Sequence, residues 1–272
     1  MNDKPLESLW LERDGTRLMA VAGGNGDAVL LIHGGMADHR VILHHLKSLA
    51  GRFRVIAPDQ RGSGRSWCGE PLSFKTLSDD LRAWLDDLGI ARAVIVAASS
   101  GTGVVVHFAI AHPARVAGLA LLQPIYGGTE LALTPEQAGI LAWMDGIASQ
   151  TLVAGIQAIK PLYAAAPEQF REQAIAMAME YDPASLAATS HFLASGTQPF
   201  GPASDLQRIR VPVLLVRGAD PMHPASVSDL YARALPQVRE MPPQELPPAE
   251  LSAFCAACFA PEGAQASVTA GD

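Results

Sequence analysis

Apolar runs of strand length alternate along the chain with stretches in which apolar residues recur at helical spacing. The apolar runs cover residues 28–32, 53–58, 93–97, 116–122 and 211–216. Helical spacing covers residues 38–50, 77–88, 104–111, 225–235 and 248–259. Continuous apolar runs are typical of strands that are buried on both faces of a parallel sheet. Strands that alternate with helices in this way predict an α/β fold with a mostly parallel sheet flanked by helices.

Two departures from this alternation divide the chain. Short strands are predicted at residues 10–13 and 17–22, before the first buried strand, and at 238–241, near the end. Between Leu133 and about Ser195 the pattern is helical only and rich in alanine. We therefore predict three regions: a core formed by residues 1–124 and 205–260, a helical insertion at 125–204, and a flexible tail at 261–272.

Composition and charge exclude several classes of function. The chain has 272 residues, of which 49% are hydrophobic and 17% charged, so it can bury a sizeable core and is unlike a disordered protein. A formal net charge of -7 argues against nucleic acid as a partner, because phosphate binding requires a basic face. No run of about 18 apolar residues is present, so neither a membrane span nor a membrane partner is predicted.

The first residues and the cysteines indicate where such a chain resides. Residues 1–12 are polar and of mixed charge, and they lack the apolar core of a signal sequence. Three cysteines do not make a disulfide framework, so a cytoplasmic location is the simplest expectation. Cys255 and Cys258 share one face of a predicted helix, and we interpret them as packing residues. We predict a small-molecule substrate, no cofactor, no metal, and a monomer or a homodimer.

Three segments that follow predicted strands carry candidate chemistry, at the edge of the sheet where open α/β folds bind ligands. His33-Gly34-Gly35 follows the first buried strand, and glycine there lets a backbone N–H approach a reacting carbonyl and stabilise an oxyanion. Residues 59–66, Asp-Gln-Arg-Gly-Ser-Gly-Arg-Ser, follow the second buried strand. Ser99 follows the third, on a tight turn between small residues, where the start of a helix favours negative charge.

Taken together, these segments resemble the α/β-hydrolase superfamily, and in particular its branch of small esterases, lactonases and meta-cleavage-product hydrolases. The resemblance extends over roughly residues 15 to 260. Within this range the segments 112–116 and 212–221 also match the family. Any one of the segments alone would be a weak indication, whereas their combination is specific. The resemblance implies an α/β-hydrolase fold, and it implies that the helical insertion at 125–204 is a cap domain.

The resemblance also assigns roles to individual residues. Ser99 matches the nucleophile, because its distance from His112-Pro113 is the one that the family keeps. The backbone N–H groups of Gly35 and Ser100 match the oxyanion hole. Asp220 matches the acid that follows a late strand, although the loop before it is one residue shorter than usual.

The general base is the point at which the resemblance fails. The family places a histidine between its last strand and its last helix, but residues 240–248 of this chain, Glu-Met-Pro-Pro-Gln-Glu-Leu-Pro-Pro, contain none. No histidine follows His223. Four groups are candidates to replace the base: His223, His39, His191 and Glu245. A carboxylate of ordinary pKa is a poor base for a serine hydroxyl unless burial raises its pKa.

The remaining candidate residues surround the predicted oxyanion hole. We expect His33 to be structural, packing beneath the loop that follows the first buried strand. We expect contacts with the substrate or the oxyanion from six residues: Gly34, Gly35, Met36, Ser100, His39 and His191.

Three functions remain open at this point. The first is hydrolysis of a small, largely apolar ester, lactone or other carbonyl compound at Ser99, with an atypical or missing base. The second is a non-hydrolytic cyclase, isomerase or lyase on the same scaffold, which the absent histidine suggests. The third is a ligand-binding pseudoenzyme without catalytic activity.

Overall fold

A computed structural model describes residues 6–68, 71–164, 168–243 and 246–260, so the predicted tail at 261–272 lies outside the described residues. The strands are β1 (Glu7–Arg13), β2 (Thr16–Gly23), β3 (Ala28–Ile32), β4 (Arg54–Pro58), β5 (Ala93–Ala98), β6 (Val116–Leu122), β7 (Val213–Val216) and β8 (Val238–Met241). Each strand predicted from the apolar pattern is present, with ends that differ by a few residues.

The α-helices alternate with the strands in the core and follow one another in the insertion. They are α1 (Leu43–Leu49), α2 (Phe74–Asp87), α3 (Gly101–Ala111), α4 (Pro135–Ala154), α5 (Glu168–Ala178), α6 (Pro183–Ala194), α7 (Ala225–Ala234) and α8 (Pro248–Phe259). No helix among the described residues is long and apolar enough to cross a membrane.

The described strands form one sheet in the order β1-β2-β4-β3-β5-β6-β7-β8. β2 is antiparallel to β1 and to β4, and the remaining neighbours are parallel. Parallel strands have their carboxyl ends at the same edge of a sheet. The loops that follow β3, β5 and β7 therefore lie at one edge, and the predicted α/β-hydrolase architecture is confirmed.

Helices cover both faces of the sheet, which explains why its strands lack polar alternation. In β3, Leu30 and Ile32 belong to the apolar cluster on one face, whereas Val29 and Leu31 belong to the cluster on the other. The second cluster also contains Cys255 and Cys258 of α8, both of which are buried.

The helical insertion between β6 and β7 has an apolar cluster of its own. It is built from α4, a 3₁₀ segment at Ile156–Tyr163, α5 and α6. Two core residues pack with it: Met36 of the loop after β3, which is buried, and Met222 of the loop after β7, which is partly buried. The Tyr163 hydroxyl donates a hydrogen bond to the Met36 carbonyl at 2.9 Å. Arg40 of the same core loop donates to Glu180 at 2.8 Å. The insertion therefore packs directly on the loop that follows β3.

The helix predicted at 38–50 is shorter in the structure. A 3₁₀ turn at His39–Ile42 precedes α1, and the Asp38 carboxylate accepts a hydrogen bond from the backbone N–H of Arg40 at 2.9 Å. The same carboxylate is bonded to the Arg40 guanidinium. Short acidic side chains that bind nearby backbone N–H groups favour turns over helix, and this local competition is invisible in the apolar spacing.

His45 on α1 makes the fold sensitive to acid. Its side chain is 5% exposed, and burial, followed by the nearby His44, lowers the pKa of His45 from 6.5 to about 4. A depressed histidine pKa means that the unfolded chain binds the proton more tightly, so stability is lost as the pH falls from 6.5 towards 4. This loss is about 3 kcal/mol at 1.36 kcal/mol per pKa unit.

We therefore expect His45→Leu to fall less in melting temperature between pH 7 and pH 4.5 than the parent chain does. Thermal melts followed by circular dichroism at the two pH values measure this difference. The exposed neighbour provides the control, because His44→Leu leaves the buried imidazole in place. Equal falls in the parent and in His45→Leu would show that another group titrates.

Candidate active site

Ser99 lies on a strained turn between β5 and α3. Its φ of 51° is in the left-handed region, which a residue with a side chain rarely adopts. The turn is fixed on both sides, since the Ser99 N–H donates to Leu122 O at 2.9 Å and the Thr102 hydroxyl donates to Ser99 O at 2.6 Å. Strain of this kind persists where the surrounding structure enforces it, as in a nucleophile elbow.

Glycines allow the turn to approach the neighbouring strand. A Cβ on Gly101 would lie 2.4 Å from His33 O, and one on Gly34 would lie 3.1 Å from Ser99 Cβ. α3 begins at Gly101, three residues earlier than the sequence pattern predicts. The hydroxyl of Ser99 therefore lies immediately before the N-terminus of this helix, whose N–H groups and dipole stabilise developing negative charge.

His223 is the imidazole that meets Ser99. Its Nε2 lies 3.0 Å from Ser99 Oγ, and its Nδ1 lies 2.9 Å from both carboxylate oxygens of Asp220. A carboxylate only accepts hydrogen bonds, so Nδ1 carries the proton and donates to Asp220. Nε2 is then free to accept the proton of the serine hydroxyl, which is the arrangement that general-base activation of a serine requires.

Asp220 is held in its ionised form. Burial opposes ionisation, but hydrogen bonds from the His223 ring and from the backbone N–H groups of His223 and Met222 outweigh it, so the pKa of Asp220 lies below its usual value. The carboxylate is 50% exposed, whereas the His223 side chain is 15% exposed. Water therefore reaches the acid far more easily than it reaches the imidazole.

A compact loop after β7 brings this acid and this imidazole together. The His223 N–H donates to Asp220 O at 3.1 Å, which closes a turn between the two residues. The loop folds back on Gly218, where an added Cβ would lie 2.2 Å from His223 O. The Gly218 N–H donates to the Ser228 hydroxyl of α7 at 3.0 Å. The shorter acid loop noted in the sequence is therefore no obstacle, because Asp220 and His223 share it.

The loop after β3 lies beside the start of α3. No backbone hydrogen bond from the N–H of Gly35 or of Ser100 to any other described residue is present. Leu193 of α6 packs against Gly35, since an added Cβ there would lie 2.5 Å from Leu193 Cδ1, and Met36 follows with a φ of 55°. Two backbone N–H groups at this place can stabilise an oxyanion.

A narrow cavity of about 20 Å³ borders Gly35 and Ser100. It offers space for a group about the size of one water molecule. Its apolar lining is formed by Leu72, Leu77, Val104, Phe192 and Leu193, and its polar lining includes Gln60, Arg61, Ser63 and Thr189. The cavity therefore reaches the residues that follow β3 and β5, and neither Ser99 nor His223 lines it.

His33 has a structural position beneath the loop. Its Nε2 accepts a hydrogen bond from the Gln60 N–H at 3.0 Å, and its Nδ1 is 2.7 Å from Gly34 O. Complete burial lowers the pKa of His33, so the ring stays neutral and donates through Nδ1. The bond to Gln60 joins the segment that follows β3 to the segment that follows β4.

Asp38, His39 and Asp59 bring potential metal-ligating atoms within 4.8 Å of one another. Other partners occupy most of these atoms. Asp38 binds the Arg40 guanidinium, and His39 Nδ1 is 2.7 Å from Asp59 Oδ1. Burial raises the pKa of Asp59, but the hydrogen bonds and charge of His39 and the charge of His33 together outweigh that effect, and the pKa lies below its usual value. The group stabilises the loop after β4 through internal bonds.

The other candidates for the base lie elsewhere. Among the hydrogen bonds of the described residues, Ser99 Oγ meets an imidazole only at His223. The side chain of His191 is 83% exposed and lies 3.7 Å from Asp145, and His39 is engaged with Asp59, so the suggestion that either ring replaces the base is not supported. Glu245 lies outside the described residues.

The comparisons with known proteins agree with this architecture. A family model described as the alpha/beta hydrolase fold matches residues 27–244. Lipase LipV of Mycobacterium tuberculosis is 39% identical over 103 residues, which are 38% of this chain and 39% of that protein. Haloalkane dehalogenase of Mesorhizobium japonicum is 34% identical over 113 residues, which are 40% of this chain and 36% of that protein. The matched segments thus span well under half of these relatives.

A solved structure is similar over most of its length. A thermophilic esterase from Thermogutta terrifontis has a TM-score of 0.69 and 23% sequence identity to this chain, and the match covers 88% of this chain and 90% of the esterase. At 23% identity this likeness shows a common fold alone.

Proposed function

Because the chain belongs to the α/β-hydrolase fold family, we propose that it is a serine hydrolase that cleaves a small, largely apolar ester, lactone or related carbonyl compound. One observation carries the proposal: His223 Nε2 is 3.0 Å from Ser99 Oγ while His223 Nδ1 is 2.9 Å from Asp220. The two alternatives are a non-hydrolytic enzyme, which the histidine missing from residues 240–248 suggests, and a pseudoenzyme. A histidine within hydrogen-bond distance of Ser99 favours hydrolysis over both.

The proposed reaction has two halves. Ser99 Oγ attacks the carbonyl carbon while its proton passes to His223 Nε2, and the N–H groups of Gly35 and Ser100 stabilise the negative charge that develops on the carbonyl oxygen. The protonated imidazole then gives its proton to the leaving alkoxide, which departs and leaves an acyl ester on Ser99. In the second half, His223 takes a proton from water, which attacks the carbonyl carbon of the acyl ester. The imidazolium then gives this proton to Ser99 Oγ as the bond to the acyl carbon breaks, which releases the acid and restores the serine hydroxyl.

Asp220 supports both halves without touching the substrate. Its carboxylate fixes the tautomer of His223 and stabilises the imidazolium that forms when the serine proton is transferred. The depressed pKa of Asp220 keeps that carboxylate ionised at neutral pH.

The covalent half-reaction can be tested directly. We expect a fluorophosphonate probe to label the chain, and peptide mapping by mass spectrometry to place the phosphonyl group on Ser99. Heat-denatured protein is the control, because it retains the serine but loses the hydrogen bond to His223. Absence of labelling at high probe concentration, or labelling that survives denaturation, would contradict the proposed nucleophile.

We expect Asp220→Asn to lower kcat for p-nitrophenyl acetate by about 10²- to 10⁴-fold, because the amide no longer enforces the required tautomer of His223. Half exposure of the side chain favours the lower part of this range, since water partly replaces the lost acceptor. Asp229→Asn is a matched control: this carboxylate lies on α7, is 47% exposed and pairs with Arg217, which directly follows β7. A similar loss in both variants would point to damage to the loop rather than to the acid.

A further inference from the structure

Gln137 connects the helical insertion to the loop that carries His223. It lies in the first turn of α4 and is 1% exposed, although glutamine is usually found at the surface. A buried amide has one acceptor and two donors to satisfy. Its partners therefore indicate what the side chain does.

The acceptor and the donors of this amide serve different purposes. Gln137 Oε1 accepts from the Thr134 N–H at 2.9 Å, and the Thr134 hydroxyl accepts from the Gln137 N–H, which together form a capping box at the start of α4. Gln137 Nε2 donates to two carbonyls outside the helix, Ile125 O at 3.1 Å and Met222 O at 2.9 Å. The cap needs only Oε1, so the two bonds made by Nε2 need another explanation.

Met222 directly precedes His223, so its carbonyl is part of the peptide unit that ends at the His223 nitrogen. The segment from Asp220 to His223 is short and partly exposed, and a shift of its backbone moves the imidazole away from Ser99 Oγ. The bond from Gln137 joins that segment to Ile125, which follows β6, the strand that lies between β5 and β7 in the sheet. Ser99, at the end of β5, is bonded to β6 as well, through Leu122 O.

We propose that Gln137 is a positioning residue, which fixes the distance between His223 and Ser99 by holding the backbone of Met222 against the segment that follows β6. This inference rests on the proposed function, since it assumes that His223 is the base. It also gives the insertion a direct effect on catalysis, because a displacement of the first turn of α4 would be transmitted to the base.

Substitutions at Gln137 and at Thr134 separate the positioning of His223 from the capping of α4. Glutamate is an ordinary member of a capping box, so Gln137→Glu retains the acceptor for the Thr134 N–H, and its carboxyl group can donate to at most one of the two carbonyls. Thr134→Ala has the opposite effect: it removes the hydroxyl of the cap and leaves Gln137 Nε2 in place. Gln137→Met is a second variant of similar size without charge. Turnover of p-nitrophenyl acetate and the rate of phosphonylation of Ser99 are measured for each.

We expect Gln137→Glu and Gln137→Met to lower kcat by about 10²-fold with little change in KM, because a small misplacement of a catalytic group costs about this factor. Phosphonylation of Ser99 slows in parallel. Thr134→Ala is expected to lower the melting temperature and to keep kcat near that of the parent. Parent-like kcat in both Gln137 variants, or an equal loss of kcat in Thr134→Ala, would overturn the assignment.

An NMR measurement on the protein without substitutions does not depend on how well the variants fold. The side-chain amide resonances of Gln137 are expected to shift when Ser99 is phosphonylated, because His223 and Met222 respond to the modified serine. Unchanged resonances would contradict the assignment. Turnover of p-nitrophenyl acetate by Ser99→Ala distinguishes a failure of the proposed function from a failure of the role of Gln137. If Ser99→Ala keeps turnover, the proposed function fails. If Ser99→Ala abolishes turnover and the Gln137 variants keep it, only the role of Gln137 fails.

Discussion

Turnover of p-nitrophenyl acetate is expected to fall by about 10⁴- to 10⁶-fold when Ser99 is replaced by alanine. The loss is large because the covalent intermediate forms on this hydroxyl, and no other described side chain is hydrogen-bonded to His223 Nε2. The backbone N–H groups of Gly35 and Ser100 remain, so a small acceleration over the uncatalysed reaction persists. Steady-state kinetics with enzyme at micromolar concentration can detect that residual rate.

The control for this substitution is Ser48→Ala. Ser48 is exposed, and among the described residues its hydroxyl bonds to His45 O on α1. Ser48→Ala should retain the kcat of the parent. Turnover by Ser99→Ala within tenfold of the parent would contradict a mechanism in which Ser99 is acylated. Such a result would favour a reaction that uses the polarising N–H groups without a nucleophile.

The second large effect is expected for His223→Ala. We expect kcat to fall by about 10⁴- to 10⁶-fold, similar to the loss in Ser99→Ala, because residues that act as one unit do not contribute independently. The double variant should therefore be no slower than either single variant. Labelling of Ser99 by fluorophosphonate should slow as well, because the hydroxyl loses the group that accepts its proton.

His44→Ala is the matched control for His223→Ala, since it removes an exposed imidazole from α1, remote in sequence from the loop after β7. Full activity in His44→Ala and a large loss in His223→Ala would support the assignment of the base. Retained activity in His223→Ala would instead favour Glu245 as the base, since Glu245 lies in the stretch where the family keeps its histidine.

Much of the architecture follows from the order of apolar and polar residues. β3 and β5 are predicted to within a residue, because burial on both faces requires uninterrupted apolar runs. The strained turn at Ser99 is also predictable, since small residues between a buried strand and a helix leave few other arrangements. These features depend on residues that are close in sequence.

The base is harder to predict, because it depends on the path of a single loop. His223 and Asp220 are three residues apart, and nothing in hydrophobic periodicity tells whether their side chains meet. The informative signal is Gly218. Because glycine has no Cβ, the loop can fold back so that His223 O lies 2.2 Å from the position that a Cβ on residue 218 would occupy. The bonds of Gln137 to Ile125 and Met222 were missed for a related reason, as they join segments 12 and 85 residues apart.

The loop that carries both His223 and Asp220 has a consequence for how the proposed activity would be lost on heating. When acid and base are contributed by separate loops, two distances must be maintained by the tertiary structure. In this chain Asp220 and His223 lie on the same loop, so the acid and the base move together. One remaining distance, from His223 Nε2 to Ser99 Oγ, then determines whether the serine is activated. Heating should therefore abolish the proposed activity through the loss of a single contact, before the sheet melts, and cooling should restore the activity without any rearrangement of the acid–base pair.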